Sequence, residues 1–145
     1  MDDLLAIRRA ILTALADDAA ITALVPAARI YPQAAPVPAP AWPFIIYGAP
    51  TGVPIRAACV RGTEVTVAIH SFALPRKEGA QTVETAEDYA SRIGRAVVLA
   101  LDGKRIDLER GYVSLLFTGS QLLIDGGEKD AFHHIANLRA RAITS

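Results

Sequence analysis

The apolar residues of this 145-residue chain repeat at two different periods, and the switching between them restricts the fold more than any other feature. From Asp2 to Ala16 the period is helical. Leu4, Ile7, Ile11, Leu12 and Leu15 recur close to i, i+3/4, i+7 and form one apolar stripe. Asp2 or Asp3 can cap the free amides of that helix and suits its positive end. Asp17 and Asp18 read as a stop followed by a new start. Ala19 to Val25 is then a short second helix ended by Pro26. From Thr63 to Ala73 the period falls to two, with Val65, Val67 and Ile69 on one face and Thr66, Ala68, His70 and Phe72 on the other. The helical period returns over residues 82–101, where Ala86, Ala90, Ile93, Val97 and Leu101 share a face. Thr82 or Thr85 is the expected N-cap, and Gly103 the expected stop. Two further strands are expected over 111–124 and 135–143. Between them, Asp125 to Asp130 reads as a turn with hairpin character.

The rest of the chain connects these elements. Arg29-Ile30-Tyr31 reads as a short strand. Residues 32–43 carry Pro32, Pro36, Pro38, Pro40 and Pro43, which block both a helix and a strand ladder and predict an extended arm. Phe44 to Tyr47 is a buried strand by its apolar run, residues 50–62 an irregular or wandering edge, and residues 74–81 a polar exposed loop. Helix, helix, strand, strand, helix, strand, strand is an α+β order. It predicts one domain over 1–145, with an antiparallel or mixed sheet of about four strands and two main helices packed on one face. An open sheet of that kind leaves two edges that must be covered or used for association.

Composition narrows the function. Fifteen basic residues cancel fifteen acidic ones, so the basic excess that grips phosphates is missing. A neutral wall is still compatible with DNA moving past it. No run of about 18 apolar residues spans a bilayer. The acidic start at Asp2 and Asp3 is unlike a signal peptide. Cys59 is the single cysteine, so neither an intrachain disulfide nor a cysteine metal cluster is available, which suits a reducing cytoplasm.

No catalytic constellation emerges, and no cofactor or metal is expected. His133 and His134 are adjacent in a strand, so their rings point to opposite faces and cannot share an ion without a bend. A third ligand such as His70 would have to come from another strand. One exposed and one packed ring is the simpler reading. Gly119-Ser120 lacks the nucleophile elbow, Ser71 points away from His70, and nothing local activates Cys59. The acidic pairs sit at helix ends, where capping explains them. Arg139 and Arg141 project from one side of a strand, either as a solvated face paired with acids or as a subunit-interface patch. Trp42 is either an interface anchor or packed on its own core.

The chain resembles the tail-completion or tail-terminator family of long-tailed phages, prophages and gene transfer agents. The residues that carry the likeness begin with Leu12-Thr13-Ala14-Leu15 and the segment from Asp18 to Val25. They continue through Arg29-Ile30-Tyr31-Pro32, Pro43-Phe44-Ile45-Ile46-Tyr47-Gly48, the strand Val65 to Phe72, and Val97-Val98-Leu99-Ala100-Leu101, and end at the strand introduced by His133-His134. Pro26-Ala27 stands where family members often have glycine, and the proline arm is longer than usual. The resemblance implies a structural, non-enzymatic virion protein, made in the host cytoplasm, that forms a ring of usually six copies. Such a ring sits on the tail-tube protein, stops tube growth, faces the head connector and surrounds passing DNA. Such a ring needs a head-to-tail contact whose rotation closes. Candidate contacts are Trp42, Arg76, Lys77, Arg139 and Arg141, with the sheet edges, the proline arm and the 74–81 loop. The rivals are a head-side stopper or adaptor and, from a different class, a small ligand-binding domain or enzyme using His70, His133 or Cys59.

Overall fold

The computed structural model describes residues 3–32, 40–126 and 130–144. Helix α1 spans Leu4–Asp17, and Ile7, Ile11 and Leu15 form its buried stripe. Asp3 occupies the N-cap position but makes no capping bond. Its carboxylate is buried and accepts from the Thr63 hydroxyl at 3.1 Å. Asp2 lies outside the described residues. Asp18 both ends α1 and starts α2 (Ala19–Thr22), its carboxylate accepting from the Ile21 amide at 3.0 Å. A turn carries the chain to Val25, Pro26 ends it, and a 3₁₀ turn (Ala27–Arg29) leads into β1 (Ile30–Tyr31). The proline arm falls largely on residues 33–39, outside the described residues.

Among the described residues the main sheet has seven strands, where the sequence suggested about four. They are β1, β2 (Phe44–Tyr47), β3 (Thr51–Ala57), β4 (Val60–Ala73), β7 (Arg105–Leu108), β8 (Gly111–Ile124) and β9 (Phe132–Thr144). The order is β1-β2-β4-β9-β8-β7, with β3 also paired to β4. All pairings are antiparallel except β1 with β2.

Residues 50–62 are therefore no irregular edge. They form a hairpin in which Thr51 faces Thr66 and Ala57 faces Val60. Pro54 sits opposite Thr63 in this edge strand, a place proline tolerates only where its missing N–H would face away from the partner. Residues 74–81 also hold ordered strand. β5 (Arg76–Glu78) and β6 (Gln81–Glu84) form a separate two-stranded sheet. Helix α3 consequently starts at Ala86 rather than Thr82 and runs to Leu101, with Thr85 accepting from the Asp88 amide at 3.2 Å. β9 begins at Phe132, so the two adjacent histidines lie inside the strand.

Both main helices pack on one sheet face. α3 lies across β4, β9 and β8, while α1 packs beside it and touches strands at both ends of the order, β1 and β7. The sheet thus curls around the helices. Val65, Val67 and Ile69 of β4 meet Leu138, Ala140 and Ala142 of β9 and Val113 and Leu115 of β8 beneath Ile93, Val97 and Leu101. Each large aliphatic buried there contributes about 1.5–3 kcal/mol. Small side chains on β9 bring α3 close to the sheet. Gly94 takes this furthest, since a Cβ there would overlap the His134 ring.

Candidate interaction surface

The helices cover one sheet face, and the other is open. Cross-strand register sets its composition. At one end lie Phe44, Phe72 and His70; in the middle Thr66, Arg139 and Leu116; at the other end Glu64, Arg141 and Ser114. Trp42 is half-buried and turned onto this face. Its ring meets Phe44 edge-on at 4.9 Å and Phe72 at 6.3 Å, and its carbonyl accepts from Arg29 at 2.9 Å. The Trp42–Pro43 peptide is cis. Phe44, Phe72 and His133 continue the cluster as stacked rings, 4.7 and 4.1 Å apart.

The charged candidates are spread apart. Arg141 makes a cross-strand pair with Glu64 at 2.8 Å, as the reading of a sheet face paired with acids requires. Arg139, two residues along the same face, is exposed and has no salt bridge among the described residues. Arg76 and Lys77 lie on the β5–β6 hairpin. Glu84 fixes that hairpin to α3 by accepting from Arg76 at 2.9 Å and Arg92 at 2.7 Å. The Arg92 bonds come first among the causes that hold the Glu84 carboxyl below its usual range. The guanidiniums of Arg76 and Arg92 also lie over Tyr89, at 5.9 and 5.4 Å.

Sequence reasoning missed three surfaces. The β3–β4 hairpin is exposed on both faces, with Val53 and Val60 open to solvent and Cys59 in its turn. Its turn, Ala58-Cys59, carries no glycine, proline, asparagine or aspartate to announce it. β7 is a four-residue edge beside α1, too short to register as alternation, and a groove of about 800 Å³ runs between its residues and Ala6, Ala10 and Ala14. Leu122, Leu123 and Ile124 are exposed in a row at the end of β8, where the strand outruns the helices. The apolar run was visible in the sequence, but its exposure was not.

The histidines meet in a way that spacing did not predict. His70 Nδ1 lies 2.6 Å from His133 Nε2, a contact across β4 and β9. His134 points the other way, under α3, and both rings of the adjacent pair are half-buried rather than one exposed and one packed. Burial is the first cause lowering all three imidazoles; for His133, at about 4, the charge of His70 adds and Asp125 opposes. His134 Nδ1, Ser71 Oγ and Tyr47 Oη are buried without a hydrogen-bond partner among the described residues. Burial pushes the Tyr47 phenol up to about 12. Ser71 is fully buried beneath the helices, opposite His134. No group of three or more metal-ligating side chains occurs among the described residues, and no described helix is long and apolar enough to cross a membrane.

Open edges, a bare sheet face and projecting hairpins suit contact with other proteins. No curated protein matches the chain. A chain in a solved structure described as the virion of a native gene transfer agent (GTA) particle shares the fold. Its TM-score is 0.75 at 22% identity, over 95% of each chain. The sequence profile of the tail completion protein gp17 family matches residues 9–143. The chain belongs to that family of tail completion proteins.

Proposed function

We propose that this protein is a structural component of a phage-type or gene-transfer-agent virion that works by shape and self-association. Copies close head to tail into a ring, six in number if the usual family arrangement holds. The ring caps the tail tube, stops its elongation and joins it to the head connector, leaving a lumen for DNA. The observation that carries this reading is the family match, which extends over nearly the whole chain.

The geometry supports it. A closed ring needs two unlike surfaces on opposite sides of each copy. At the level of Pro54, Thr63, Ala142, Val113 and Ile106 the register runs as one row, β3-β4-β9-β8-β7. This row ends in the β3 hairpin on one side and the β7 groove on the other. A usual interface buries about 800 Å² per partner, well within the 8242 Å² of accessible surface. The exposed cations Lys77 and Arg139 are the charged contacts proposed for neighbouring virion proteins, with Trp42, Arg76 and Arg141 holding the adjoining surface in shape.

Particles from a strain lacking the gene test the reading. DNA-filled heads with overlong or unjoined tails are expected, and complementation with Arg139→Glu should join fewer tails. Normal, infectious particles from the deletion strain would overturn it. Capture of connector protein without tube protein would reassign the chain to the head side of the joint.

A further inference from the structure

We propose that His70 and His133 form a two-point binding site for a borderline divalent transition-metal ion such as zinc or nickel. The inference is independent of the ring.

Phe72 and His133 are directly opposed on β4 and β9, and His70 is two residues along from Phe72 on the same open face. That diagonal brings His70 Nδ1 and His133 Nε2 to 2.6 Å, with ring centroids 4.8 Å apart and planes inclined by 35°. The separation is at the short limit for a hydrogen bond between two ring nitrogens. One nitrogen must give a proton and the other a lone pair, and a cation removes the need for that proton. Imidazole nitrogens bind zinc at about 2.0–2.1 Å, which places two cis ligands roughly 2.9–3.4 Å apart. The rings need part by less than about 1 Å, a change that small side-chain rotations supply.

Three further features favour a cation there. Phe72 stacks on His133 at 4.1 Å and Phe44 stacks on Phe72 at 4.7 Å, which fixes the imidazoles before any ion arrives. The exposed side of each ring lets water complete the coordination. Asp125 acts electrostatically on His133 and adds negative charge near the incoming ion. With two protein ligands the site binds more weakly than a four-ligand structural zinc site.

Calorimetric titration of the full chain with nickel chloride and with zinc chloride at neutral pH tests the proposal. One saturable site per chain and a metal-dependent rise in melting temperature are expected, both lost in His70→Ala and in His133→Ala. His134 remains in both variants and serves as an internal control, because its ring points to the opposite face. If either alanine variant loses its native far-ultraviolet spectrum, His133→Gln, which keeps the bulk, replaces it. Imidazole ¹⁵N shifts confined to His70 and His133 on adding zinc would assign the ligands. Absence of saturable binding by the native chain, or binding of equal stoichiometry after loss of either imidazole, would overturn the site.

Discussion

Replacing Gly94 by alanine sets two physical effects against each other at one atom. Gly94 lies in α3 and faces His134 of β9. In an exposed helix interior, alanine is better than glycine by about 0.5–1 kcal/mol. Here the added Cβ would clash with Nδ1, Cε1 and Cγ of His134. That ring is wedged between α3 and the sheet, and its Nδ1 is buried without a partner among the described residues, so it has little room to retreat. Overpacking of this kind costs about 1–3 kcal/mol. The net for Gly94→Ala is a loss of up to about 2.5 kcal/mol. For a chain of this size that corresponds to a melting temperature lower by up to about 10 °C, at 2–4 °C per kcal/mol. Urea unfolding followed by far-ultraviolet circular dichroism should show a lower midpoint at unchanged slope. With His134→Ala in the background, the same substitution should become neutral or stabilising, a coupling of about 1–3 kcal/mol. A Gly94→Ala chain at least as stable as the native one would refute the reasoning, because helix propensity would then have outweighed the contact.

Asp18→Ala removes the acceptor for the Ile21 amide and should lower stability by about 1 kcal/mol, read as a lower urea midpoint. Glu84→Gln should cost less than about 1 kcal/mol, since both arginine partners are half exposed. Faster hydrogen exchange confined to residues 76–84 is the expected sign of a released hairpin. Stability should fall as pH drops from about 6.5 towards 4. The folded chain holds His70, His133 and His134 below the ordinary imidazole value, His133 to about 4, so the unfolded chain binds more protons across that window. Urea midpoints at several pH values would check it, and His133→Asn should flatten the slope between pH 6.5 and 5.

Local chemistry was legible in the residues. Asp17 and Asp18 marked the break between helices, Thr85 was one of the two caps offered for α3, and Val65, Val67 and Ile69 marked the buried face of β4. Gly111–Ile124 was a strand end to end. Each of these rests on neighbours within a turn or two, where period and capping suffice. The strand count was not legible for the same reason. β3 contains Pro54 and closes on β4 through a turn without turn residues, and β7 is four residues long, so neither is a strand until β4 or β8 pairs with it.

The candidate site divides along the same line. Sequence alone determined which residues could matter: Trp42 among prolines, Arg139 and Arg141 on one side of a strand, and three histidines without a motif. Tertiary structure decided what each one touches. It turned Trp42 onto its own sheet, paired Arg141 with Glu64, and left Arg139 exposed. It joined His70 to His133 across 63 positions of chain, while His134 was directed under α3. The physical reason is that side-chain direction in a strand alternates by one residue, whereas its partners are chosen by a register set elsewhere in the chain. Period is written in the sequence, and register is settled only when the sheet closes over its core.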